Sequence, residues 1–157
     1  MTRSDVILLD ALQVDSTLSI AELAERAGMS PSACHRRIRA LSDQGYVRGY
    51  GARLDPVRLG LDLQAFVEIS LNSQSREAMD AFEAAVGRFD DILECHLMSG
   101  SADYLIRVAA RSLADFDDVH RNCLARLPGV SAMKTSFAIR RIKQWAGYNV
   151  RSLRSDG

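Results

Sequence analysis

An α+β fold in two parts is predicted for this 157-residue chain. Three observations predict it. Residues 4–41 carry apolar side chains at helical spacing, broken at Gly28 and restarted at Ser30-Pro31. From Leu61 the pattern changes to alternating runs of strand length, separated by two helical stripes. Charge divides along the same line. Residues 30–58 hold six arginines and two acids, a net +4, whereas residues 77–118 hold ten acids and three arginines, a net −7. A basic front and an acidic back on a chain of zero net charge imply that only the front meets an anionic partner.

The first helix is expected over about residues 4–14, with Asp5 in the turn where a carboxylate suits the helix dipole, and Leu8, Leu9 and Leu12 as its apolar stripe. Ser19 is a natural N-cap for a second helix, and Glu22, three residues on, completes a capping box. Ile20, Leu23, Ala24 and Ala27 follow at i, i+3, i+4 and i+7. Gly28 stands where the helix ends and the backbone needs a positive φ. Ser30 then caps a third helix, with Pro31 at its first position, where a missing N–H is harmless.

Helical spacing sorts that third helix. Cys34, Ile38 and Leu41 face a core. Ser32, His35, Arg36 and Arg39 point the other way, giving a short, polar, cationic face. Residues 19–41 thus have the layout of a helix-turn-helix, which sets its second helix in the DNA major groove. Arg can bridge guanine O6 and N7, and Ser or His can reach base edges or phosphate. The candidate DNA-binding residues are Ser30, Ser32, His35, Arg36, Arg37 and Arg39, with Arg48 beyond the helix. Arg37 lies on the flank, suited to a backbone phosphate or a neighbouring carboxylate. A solvated basic face is the alternative reading of the same pattern.

After Gly45, the alternation of YVRGYGA predicts a short hairpin, either a wing touching phosphate through Arg48 or Arg53, a structural extension, or a strand pairing with a second subunit. Asp55-Pro56 and Gly60 mark a boundary. The expected organisation is a DNA-binding domain over 1–54, a linker over 55–61, a sheet domain over 62–143 and a tail over 144–157.

In the sheet domain Leu63, Ala65, Val67 and Ile69 share one strand face. Met79, Phe82 and Val86 are spaced for a helix. DILECHLMSG and DYLIRVAA read as two strands joined by the loop at 99–102. Phe116 to Leu127 form a second helical stripe, Pro128-Gly129 breaks it, and VSAMKTSFAI is the last strand. The order β-α-β-β-α-β is that of a ferredoxin-like antiparallel sheet with two helices on one face. Phe66 falls on the opposite face, for which the chain supplies no further helix. Packing between subunits, hence at least a dimer, is predicted.

Four segments in order, SIAELAERAGMSPSACHRRIRAL, GYVRGYGARLDPVRLGL, MSGSADYLIRV and LPGVSAMKTSFAIRRIK, resemble the Lrp/AsnC, or feast/famine, regulators from about Ser4 to Lys143. The resemblance implies a transcription regulator with an N-terminal winged helix-turn-helix and a ferredoxin-like domain of the RAM type. It implies double-stranded DNA as partner and homodimers that assemble into octamers or other higher forms. It also implies a small effector, commonly an amino acid, bound between subunits of the second domain. By motif, the effector residues would be Gly100, Ser101, Asp103 and Tyr104, joined by Thr135, Ser136 and Phe137. Asp103 suits an α-ammonium group and the N–H groups near Gly100 a carboxylate, although Asp and Gly are also ordinary turn residues. The sequence departs from the pattern at Val6-Ile7, at Ser101-Ala102 and in the ending Gln144–Tyr148.

Other function classes fit less well. No run reaches the roughly 18 apolar residues of a membrane helix, and the N-terminus lacks a signal-peptide pattern. Three widely spaced cysteines, Cys34, Cys95 and Cys123, read as reduced thiols, placing the chain in the cytoplasm. Cys95 and His96 alternate across a strand, and His120 and Cys123 lie on an apolar helix stripe, so no metal and no cofactor is expected. No nucleophile and base are assembled at motif spacing, which argues against an enzyme. An architectural DNA-wrapping protein without an effector is the alternative to a regulator.

Overall fold

The computed structural model describes residues 1–153. Two compact units form: one from Met1–Arg53 with the chain from Lys143 on, the other from Leu54–Ile142.

The first unit is built on α1 (Arg3–Val14), α2 (Ile20–Ala27) and α3 (Pro31–Asp43). The caps are those expected. Ser19 Oγ accepts the Glu22 N–H, and the Glu22 carboxylate accepts the Ser19 N–H at 2.8 Å. Gly28 ends α2 at φ 66°, and Ser30 caps α3 ahead of Pro31. Leu8, Leu12, Leu23, Ala24, Cys34 and Leu41 form the core. A further capping box starts the unit: Thr2 caps α1, with Asp5 as its reciprocal acceptor.

One expectation for this unit is corrected. The hairpin over residues 46–52 is not formed. Those residues carry no strand assignment, and after the Tyr46 N–H bond to Leu41 no backbone hydrogen bond is donated within residues 47–54. Alternation makes a segment fit for a strand, but a strand needs a partner. Residues from Lys143, as far as they are described, belong with the first unit, where Val150 is buried. The tail, α1 and residues 46–53 border a cleft of about 840 Å³.

The second unit has the predicted order: β1 (Leu63–Leu71), α4 (Arg76–Val86), β2 (Ile92–Leu97), β3 (Tyr104–Ala110), α5 (Leu113–Asn122) and β4 (Val130–Phe137). The four strands are antiparallel in the order β2-β3-β1-β4, the ferredoxin-like arrangement. Ala65, Val67, Ile69 and Leu71 pack with Ile106, Val108, Phe82 of α4 and Phe116 of α5. The opposite face carries Gln64, Phe66, Glu68, Leu105 and Arg107, with Phe66 38% exposed. Cys95 and His96 point to opposite faces as expected, while His120 is half-buried rather than in the core. Among the described residues, no helix is long and apolar enough to cross a membrane, and no group of three or more His, Cys, Asp or Glu is placed to hold a metal.

Candidate functional site

The third helix has the two-sided character that its sequence dictates. Cys34 and Leu41 are buried, and burial pushes the Cys34 thiol pKa above its ordinary value. On the other side Ser32, His35, Arg36 and Arg39 are exposed. Among the described residues, no hydrogen bond or ion pair engages His35, Arg36 or Arg39 (only Ser32 has a neighbour, the Ser30 hydroxyl at 3.3 Å). Three donor groups therefore stand free on one face of a rigid helix, without a protein partner to release before they meet a ligand. Arg48 is likewise exposed and unpaired among the described residues, on the extended segment beyond α3.

Arg37 differs from its neighbours. Its Nε and a terminal nitrogen donate to the two oxygens of Asp5 at 2.5 and 2.6 Å. Asp5 is fully buried, and its Oδ2 also accepts the Thr2 N–H at 2.6 Å. The hydrogen bond from the Arg37 guanidinium holds the Asp5 carboxyl well below the usual carboxylate range, against the opposing effect of burial. Of the two partners that the sequence allowed Arg37, the neighbouring carboxylate engages its Nε and one terminal nitrogen. This bidentate pair fixes the side of α3 that faces α1, and so fixes the side that faces outward. The sequence signal for it is faint: an acid in a first turn and an arginine 32 residues later.

In the second unit the motif residues are only partly brought together. Gly100 and Ser101 lie exposed in the β2–β3 loop. Gly100 lacks a positive φ, and no neighbouring atom lies within 4 Å of where a Cβ would stand, so local packing does not require glycine there. Asp103 ends this loop and is heavily bonded. Its Oδ2 accepts the Leu71 N–H and its Oδ1 the Gln74 side-chain amide, both at 2.7 Å. Its own N–H donates to the Ile69 carbonyl, and its carbonyl accepts the Met98 N–H. Asp103 thus ties β1 to the β2–β3 loop and to the turn before α4.

Tyr104 is turned away from that loop. Its ring is 1% exposed, stacked 4.5 Å from Phe82, and its hydroxyl donates to Glu83 Oε1 at 2.8 Å. Burial, then the Glu83 hydrogen bond, push its pKa up. Its side chain belongs to the core, and only its backbone reaches the loop. The last strand divides by pleat. Thr135 and Phe137 lie on the helix-covered face, where Phe137 meets Phe116 edge-on at 5.1 Å. Ser136 lies opposite Phe66 on the open face. Gln74 and Glu83, which hold Asp103 and Tyr104, are not among the residues that the sequence singles out. Gln74 stands in an exposed polar stretch, and Glu83 reads as one more exposed acid on an amphipathic helix, so neither has a distinguishing pattern.

Comparison with known proteins gives the family of both units. The family model described as winged helix-turn-helix DNA-binding matches residues 1–48, and the Lrp/AsnC ligand binding domain matches residues 64–147. The leucine-responsive regulatory proteins of Salmonella typhimurium and Escherichia coli are each 38% identical over 144 residues, covering 92% of this chain and 88% of theirs. A transcriptional regulator from Neisseria meningitidis, solved as a complex with L-methionine, is 32% identical with a TM-score of 0.91, covering 98% of this chain and 99% of that one. An AsnC family transcriptional regulator from Agrobacterium tumefaciens is 34% identical, also with a TM-score of 0.91, covering 96% and 98%. The chain belongs to the Lrp/AsnC family of transcriptional regulators, with a helix-turn-helix DNA-binding domain followed by a ligand-binding domain.

Proposed function

We propose that this regulator reads a specific duplex through Ser32, His35, Arg36 and Arg39, with Ser30 and Arg48 on the phosphate backbone. In this reading Arg37 acts through Asp5, holding α3 at the angle that presents the other four. The observation that carries the reading is the free cationic face of α3, backed by a buried core and by an internal ion pair. Selection of duplexes from a random pool with the full chain tests it. Arg36→Ala or Arg39→Ala should each weaken binding to the selected duplex by about 1–3 kcal/mol, the worth of a good base contact, with the fold intact. Unchanged affinity in both variants refutes the choice of face.

The effector in this reading is a free amino acid. Its binding region is the loop 100–103, with Ser136, at an interface between copies of the chain. One feature of the open sheet face supports a dimer: it exposes Phe66, a large apolar side chain, at the middle of β1. L-Methionine is the first amino acid to test, since a relative is a complex with it. A thermal-shift screen of the twenty amino acids, followed by duplex titration with any hit, measures the response.

A second reading, DNA wrapping without an effector, is favoured by one observation. Both Asp103 oxygens already serve Leu71 and Gln74. No shift with any amino acid, together with duplex binding, would select this second reading.

A further inference from the structure

Residues 130–137 form β4 in the second unit, and the chain from Lys143 packs in the first. The chain therefore passes between the units twice, at Arg53–Leu54 and at Ile142–Lys143, and residues 138–142 link the end of β4 to the second crossing. This link is short and bare. Ala138 donates the last sheet bond, to Gln64, and among the described residues no hydrogen bond involves 139–142. Ile139 and Ile142 are 102% and 80% exposed.

Beyond that link the tail is held firmly on α1. The Gln13 amide grips the Tyr148 backbone from both sides, donating to its carbonyl at 2.7 Å and accepting its N–H at 2.9 Å, as a neighbouring strand would. Arg151 grips Asp10 with two nitrogens, at 2.8 and 2.7 Å. Val150 is buried, and Trp145 meets Tyr148 edge-on at 5.7 Å. Asp10 and Gln13 sit on α1, the helix whose Asp5 holds α3 through Arg37.

We propose that the tail is a strap coupling β4 to the recognition helix, with Gln13 and Arg151 as its positioning residues: a shift of β4 pulls through 138–142 on α1, and Asp5–Arg37 passes it to α3. The proposal rests on the reading of α3 as the DNA-contacting helix. Coupling of this kind is reciprocal, so DNA on α3 must alter β4 by the same route. The reciprocal direction needs no knowledge of the effector.

The test is hydrogen–deuterium exchange on the full chain, with and without the selected duplex, in three proteins. These are the wild type, the double variant Gln13→Ala/Arg151→Met, and a variant with six Gly/Ser residues inserted between Ile139 and Arg140. Arg151 is exposed and Gln13 half-buried, and circular dichroism of each variant checks that it is folded. In the wild type the duplex should slow exchange in α3 and change it in residues 130–138. In both variants the α3 effect should remain and the β4 effect should vanish. Trp145, the chain's only tryptophan, should lose fluorescence anisotropy in the double variant and keep it in the insertion variant. A β4 response that persists in the variants, or one absent from the wild type while α3 is protected, overturns the strap. If α3 itself is unprotected, the DNA-binding reading falls first and the strap with it.

Discussion

Replacing Asp5 by Asn is the sharpest test of how the first unit is held together. The substitution keeps the size of the side chain and removes its charge. Asp5 is fully buried and binds Arg37 through both oxygens, so the variant leaves a guanidinium with no anionic partner and a carboxamide nitrogen where an acceptor is needed. Breaking a buried pair by removing one partner typically costs about 3–5 kcal/mol. The Arg37 side chain is 37% exposed, so water rehydrates part of the stranded charge, and the lower end, about 3 kcal/mol, is expected. At about 2–4 °C per kcal/mol for a chain of this size, the melting temperature should fall by roughly 6–12 °C in calorimetry. The pH dependence gives an independent sign. A carboxyl whose folded pKa lies below its unfolded value, about 3.9, stabilises the fold above that value and loses the contribution as pH falls toward the folded one. Wild-type stability should therefore drop with acidification below about pH 4, and the Asn variant should lose this component. A fall in melting temperature under about 1 °C, or identical acid profiles, would refute the claim that this pair orients α3.

Four further outcomes follow from the same contacts. Tyr104→Phe should cost about 1 kcal/mol in urea denaturation, because only the hydroxyl bond to Glu83 is lost. Phe82→Ala, which empties a site buried against that ring, should cost about 3–5 kcal/mol. Phe66→Asp should leave the second unit folded but shift light-scattering mass to the monomer, since it places a charge at the centre of the open face; an unchanged oligomer would move the interface elsewhere. Gln74→Ala should tighten the binding of any amino acid that takes Asp103, by removing one competitor for its carboxylate, and calorimetry reads the change.

What the sequence revealed depended on how local the cause was. Ser19 with Glu22, Gly28, and Ser30 with Pro31 act within one turn of chain, and each stands where its chemistry required. The alternation of β1 is as local, and Ala65, Val67 and Ile69 are all buried. What the sequence did not show shares a different cause. Residues 46–52 alternate as a strand should, but whether a strand forms depends on a partner that alternation does not name. The packing of the tail leaves no mark in the sequence because Gln13 meets Tyr148 across 135 positions and Arg151 meets Asp10 across 141, with no periodicity between them. Tyr104 stands with its neighbours in the motif, yet the pleat of β3 turns its ring into the core. In a strand, adjacency in sequence means opposition in space.

The bonding of Asp103 bears on how a ligand at this loop would signal. A free carboxylate would offer tight binding and little else, because nothing in the protein would have to change. An ammonium group that displaces the Leu71 N–H and the Gln74 amide must instead offset two hydrogen bonds to a charged group, each worth about 1.5–3 kcal/mol. That offset weakens apparent affinity by roughly two to four powers of ten. It also makes binding inseparable from release of the end of β1 and the turn before α4. An effector can shift a conformational equilibrium only by its differential affinity for the two states, and a residue committed in one state and free in the other supplies that difference. The carboxylate's structural role and its proposed ligand role are then two states of one equilibrium. β4 is hydrogen-bonded along β1, with a register shift at Ser70/Leu71 beside the Asp103 bond, so release of Leu71 begins next to the strand that leads to the tail.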